Sequence, residues 1–190
     1  PIFFGGLYTS LQGGTKTDLA NAVSTKVNSV PSGYMGGLFL GNHDVPSSGR
    51  SAQVLGFNQS RMILAAALLL SLPGTPFIYY GEEIGLGGSD SVSSSKLRNP
   101  MQWDGTAGRG FTTGTPWSVF DEDVSIHVAA QDGVGGSLLE TYRGLIAVRK
   151  TSPALKEGSY REIPTADARV YAFLREGGGE RVLVIANFDT

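Results

Sequence analysis

Gly37-Leu38-Phe39-Leu40-Gly41-Asn42-His43-Asp44 is a short apolar run that ends in an amide, an imidazole and a carboxylate. No other stretch constrains the fold as strongly. An apolar run of about four to six residues without helical spacing suits a strand covered on both faces, as in a parallel sheet. A second run, Phe77-Ile78-Tyr79-Tyr80, lies between Pro76 and Gly81 and predicts another buried strand. Between the two, residues 57–72 are rich in Ala and Leu and favour a helix, which Pro73-Gly74 stops. Strand, helix and strand then form one parallel unit with a right-handed crossover. Polar groups at the carboxyl end of such a strand sit where barrel enzymes keep their catalysts. Asn and Asp are also common turn formers, so these three residues taken alone fit a capping turn equally well.

Composition narrows the class. With 15 Lys and Arg against 17 Asp and Glu, and no basic run, the chain has no electrostatic footprint for nucleic acid. Its longest apolar stretch, Met62 to Leu70, is about half of the roughly 20 residues that span a bilayer, so it reads as a core helix and no membrane partner is expected. There is no cysteine, which removes disulfides and thiolate metal sites and leaves extracellular, periplasmic and cytoplasmic locations open. The sequence opens at Pro1 without a basic, apolar leader, so no signal peptide is visible.

Residues 2–12 and 15–30 read as helices broken at Gly13-Gly14, the second with Leu19, Ala22, Val23 and Val27 on one face. Pro31-Ser32-Gly33 turns the chain into the first strand, and Val45 to Arg50 forms a loop after Asp44. From Leu86 to Ser137 runs a long Gly, Ser and Thr-rich segment, which must be functional or carry small elements of its own. Its tryptophans, Trp103 and Trp117, read chiefly as buried rings that pin the loop, with stacking on sugar rings as the alternative. His127 in the same loop reads as structural. A last amphipathic helix covers about 137–150, and Ser152-Pro153 ends it. Beyond that the period changes to two, over 160–163, 170–174 and 181–188, with Gly177-Gly178-Gly179 as the middle turn. These are antiparallel strands of a second domain.

Three ordered segments carry a family resemblance. Phe39-Leu40-Gly41-Asn42-His43-Asp44 resembles the end of the seventh barrel strand of the alpha-amylase family of glycoside hydrolases. Leu72 through Gly85, with Tyr79-Tyr80-Gly81-Glu82-Glu83, resembles the eighth strand and its exit loop, and Arg98-Asn99-Pro100-Met101-Gln102-Trp103-Asp104 resembles a segment of the oligosaccharide-cleaving branches. The resemblance implies an α/β fold: the C-terminal portion of a (β/α)8 TIM barrel over 1–152, then the first strands of an antiparallel β-sandwich over 153–190. It implies a retaining hydrolase acting on an alpha-glucan or malto-oligosaccharide. Such enzymes use a nucleophile and a general acid about 5 Å apart. In this family those two acids end the fourth and fifth strands, so both are expected on the missing N-terminal part of the barrel, and this chain alone is expected to be inactive. Asp44 matches the third carboxylate, which stabilises the transition state, and His43 its substrate-binding neighbour. Asn42 is expected to be structural, and the Glu82-Glu83 pair architectural rather than catalytic. Family members often place an Arg soon after the aspartate, whereas here the first is Arg50. No cofactor or metal is expected in this segment; calcium would be held in the complete enzyme by upstream residues.

Overall fold

The computed structural model describes residues 2–31, 34–44, 49–88 and 97–189. Ser32-Gly33 of the expected first turn and Val45 to Ser48 of the expected loop lie outside the described residues. The chain divides into two compact units, one of residues 1–40, 63–77 and 144–190, the other of residues 41–62 and 78–143.

In the first unit, helix α1 (Ile2–Gly13) packs against α2 (Thr17–Ser29), which buries Leu19, Ala22 and Val23 of the predicted face but leaves Val27, expected on the same face, 37% exposed. Ser10 accepts the Leu19 N–H at 2.9 Å, and the Tyr8 hydroxyl donates to the Leu40 carbonyl at 2.9 Å. Strand β1 (Gly37–Phe39) pairs in parallel with β2 (Thr75–Phe77), Leu38 opposite Pro76. Helix α4 (Gln59–Ser71), whose interior is Ala and Leu, connects them, after a short α3 (Ser51–Val54) that the sequence pattern does not announce. At the entry to β2, Gly74 has φ 129°, and a Cβ there would lie 2.6 Å from the Gly36 carbonyl. Only glycine fits that approach.

The second strand corrects the sequence reading. Pairing starts earlier than expected, at Thr75, whose N–H donates to the Gly36 carbonyl at 2.8 Å, and it stops at Phe77. Nor is the strand buried, since Phe77 is 59% exposed.

Helix α6 (Leu138–Thr151) follows the expected amphipathic segment, and Ser152 caps an unforeseen short α7 (Pro153–Glu157) by accepting the Leu155 N–H at 3.1 Å. Strands β3 (Ser159–Ile163), β4 (Val170–Gly177) and β5 (Glu180–Asn187) form an antiparallel sheet in that order. Alternation along β4 buries Tyr171, Phe173 and Arg175 on one face. Among the described residues no helix is long and apolar enough to cross a membrane.

Two buried arginines close the end of α4. Arg149 donates to the carbonyls of Leu70 at 2.8 Å and Gly74 at 2.6 Å. Arg175 donates to Ser71 at 2.6 Å and also to Gly158 and Ser159. A helix leaves its last carbonyls without partners and ends with partial negative charge, so cationic donors suit that place. Burial, with repulsion from Arg149 adding, lowers Arg175 to about 10, which still leaves it charged at neutral pH.

Arg149→Met should therefore strand two buried carbonyls and cost about 3 kcal/mol of unfolding free energy, read from urea titration. A loss below about 0.5 kcal/mol, the usual range for exposed positions, would show that water replaces the guanidinium.

Candidate functional site

β1 ends at Phe39, and the chain reaches the polar tip through buried Leu40 and Gly41. Asn42 turns it: its side-chain oxygen accepts the Asp44 N–H at 2.8 Å, an Asx turn that matches the structural role expected of this residue. His43 and Asp44 then stand in solvent, with side chains 59% and 64% exposed. His43 Nε2 lies 3.2 Å from Asp44 Oδ2, and Arg98 Nη2 lies 3.2 Å from Asp44 Oδ1. Both predicted site residues thus share one carboxylate, and a third residue joins them. In the sequence Arg98 is only the first residue of the segment that runs to Asp104. Its spacing of 54 residues from Asp44 gives no local signal of the contact.

An exposed ion pair contributes at most about 1 kcal/mol, so the Arg98–Asp44 contact does little for stability. Its effect is to hold the carboxylate in one orientation while leaving its surface open. Such a group accepts hydrogen bonds from a hydroxyl-rich ligand and strengthens them when positive charge develops nearby.

Glu82 and Glu83 behave differently. Gly81 leads into a single 3-10 turn, Glu82–Ile84, and Glu82 is only 6% exposed. The Tyr142 hydroxyl donates to its Oε1 at 3.3 Å, while its Oε2 and that of Glu83 have no hydrogen-bond partner among the described residues. Burial pushes Glu82 up to about 8 and raises Glu83 as well. A neutral acid bonded to a helix tyrosine has the architectural character expected of this pair.

The described part of the long segment, residues 97–137, is ordered by buried amides more than by regular structure. Gln102, fully buried, donates to the carbonyls of Asp123 at 3.1 Å and Ile126 at 2.6 Å and accepts from Arg109 at 3.1 Å. Asn99 donates to Val119 at 3.1 Å. Ile84, Leu86, Met101 and Leu139 form the apolar cluster beneath. His127 caps the short α5 (Val128–Gln131), its Nδ1 accepting the Ala130 N–H at 3.0 Å, in keeping with a structural histidine. The tryptophans contradict the pinning role: Trp103 is 51% and Trp117 64% exposed, and with Tyr80 and Phe111 they line an open cavity of about 400 Å³. Polar Gln102 and Asn99 fix the loop instead. Among the described residues no group of three His, Asp or Glu gathers to hold a metal ion.

The family model for "Alpha amylase, catalytic domain" matches residues 7–158. The chain is 38% identical over 136 residues to the trehalose synthase/amylase TreS of Mycolicibacterium smegmatis, covering 67% of this chain and 23% of that protein. It is 31% identical over 192 residues to the oligo-1,6-glucosidase of Halalkalibacterium halodurans, covering 80% and 33%. Among solved structures, the trehalulose synthase MutB of Pseudomonas mesoacidophila superposes with a TM-score of 0.78 at 30% identity, over 92% of this chain and 38% of that one. The chain therefore spans 23% to 38% of the length of these relatives. Its parallel strands and helices are part of a TIM barrel, and a β domain follows.

The raised acid generates a pH prediction. Because the folded-state value of Glu82, about 8, lies above the ordinary 4.5, its contribution is whole below about 4.5 and is lost as pH rises through about 8. Glu82→Gln preserves the neutral shape, so its melting temperature should gain on that of the parent as pH is raised from about 5 to 8. A difference that stays constant across that range would mean that Glu82 is not held neutral.

Proposed function

The chain belongs to the alpha-amylase family, and from that premise we propose that it is part of a retaining alpha-glycoside hydrolase that cleaves alpha-glucosidic bonds in starch-like or malto-oligosaccharides. The observation that carries this reading is the Asp44 carboxylate, open to solvent at the exit of a barrel strand and flanked by His43 and Arg98. Asp44 would accept hydrogen bonds from the hydroxyls of the sugar being cleaved and tighten them as the ring flattens and becomes oxocarbenium-like. His43 would donate to the same sugar, and Arg98 would keep Asp44 aimed.

In this proposal residues 1–152 belong to the barrel and residues 153–190 begin the C-terminal β-sandwich. The nucleophile and the general acid come from polypeptide that precedes this stretch in a complete enzyme, so these 190 residues by themselves do not hydrolyse glucosides. A second reading, glucosyl transfer within or between sugars, draws support from the identity to a trehalose synthase/amylase, and products distinguish it from hydrolysis.

The test is steady-state kinetics on the complete enzyme with maltose, malto-oligosaccharides and a nitrophenyl alpha-glucoside. Losing a preorganised polar contact in the transition state typically costs about 10² to 10³ in rate, and Asp44→Asn should lower kcat by at least that much. His43→Ala should reduce kcat/KM with its melting temperature within a few degrees of the parent's. A kcat within threefold of wild type for Asp44→Asn would make Asp44 a turn residue and end this reading.

A further inference from the structure

Arg98 reaches Asp44 from an irregular segment, and its side chain alone has too much rotamer freedom to hold a solvent-exposed ion pair in one geometry. The surrounding main chain supplies what the pair lacks. Arg50 is 3% exposed, and its guanidinium lies over the Tyr79 and Tyr80 rings, which meet edge to face, 4.7 Å from each centroid. It donates to the Leu97 carbonyl at 2.8 Å and to the Tyr80 carbonyl. The Tyr79 hydroxyl donates to the same Leu97 carbonyl at 2.8 Å, and the Tyr80 hydroxyl to the Asn99 carbonyl at 2.8 Å. Three side-chain bonds therefore fall on the two carbonyls on either side of Arg98.

We propose that Arg50, Tyr79 and Tyr80 are positioning residues, a clamp on the Leu97–Asn99 main chain that fixes Arg98 against Asp44 and so sets the orientation of the transition-state-stabilising carboxylate. The inference rests on the role given to Asp44 in the proposed reaction. Arginine suits the clamp because its planar fork serves two carbonyls while it lies against both rings, whereas a lysine offers one compact charge. Burial pushes the Tyr79 phenol up to about 12, so it stays a donor throughout the working range. Gly81, at φ 85°, leaves room for the fork: a Cβ there would come within 2.9 Å of Arg50 Nη2.

A double-mutant cycle in the complete enzyme tests the clamp. Displacing a reacting group by about 1 Å can cost about 10²-fold in rate, so cutting one tether with Tyr80→Phe should lower kcat about tenfold with little change in KM. Arg50→Lys should lower it at least as much. Added to Arg98→Ala, either change should cost less than a further twofold, because both act through Arg98. Full additivity, or a Tyr80→Phe enzyme within twofold of wild type, would overturn the clamp while leaving the Asp44 assignment standing. If Asp44→Asn is as active as wild type, the proposed function fails first, and a crystal structure of Arg50→Lys then decides the geometry alone. The clamp requires the Arg98 to Asp44 separation to open beyond its present 3.2 Å; an unchanged separation would refute it.

Discussion

Buried guanidinium groups bonded to main-chain carbonyls are the interaction on which the irregular parts of this chain depend. A parallel strand unit has to leave and re-enter its strands through segments that lack regular hydrogen-bond partners, and a buried carbonyl without a donor is costly. In the first unit Arg149 and Arg175 answer that cost at the end of α4. In the second, Arg50 does so for the exit of the second strand and for the segment that carries Arg98. In each case the fork lies on carbonyls. That choice fixes backbone rather than pairing charge, and it is what a loop-borne site needs from its support.

The acids divide by environment into two kinds. Glu82 and Glu83 are withdrawn from water, raised by burial and incompletely bonded, which makes them poor at carrying charge. Asp44 is open, flanked by an imidazole and a guanidinium, and held by an Asx turn that leaves both carboxylate oxygens facing outward partners. Carboxylates that share a chain but not a setting take different tasks, and here the exposed one stands at the strand exit. The same contrast separates the aromatic residues. Tyr79 and Tyr80 pack against a cation and hold main chain, whereas Trp103 and Trp117 are more than half exposed.

Much was legible in the sequence, because local periodicity reports burial directly. The two amino-terminal helices, the Ala and Leu helix between the parallel strands, the last amphipathic helix and the change to period two after residue 153 all follow from which residues are apolar and how they are spaced. The site stretch was legible for a different reason: an apolar run that stops at Asn42-His43-Asp44 puts polar chemistry at a strand end whatever the rest of the chain does. The structural reading of His127 and of the Glu82-Glu83 pair came from their isolation and from the turn they occupy, and the cap formed by His127 and the burial of Glu82 are consistent with it.

What the sequence by itself determined is therefore the order and type of elements and the place of Asp44 and His43. Only the tertiary structure decided where β2 begins and ends, because Gly74 and the Thr75 N–H set that start by contact with Gly36, far away along the chain. Only it decided that Trp103 and Trp117 are exposed, since buried Gln102 and Asn99 had taken over the work of fixing the loop. And only it brought Arg98 to Asp44. That contact depends on hydrogen bonds from Arg50, Tyr79 and Tyr80 to carbonyls, and carbonyls are the same at every position, so no pattern of side chains announces which of them will be held.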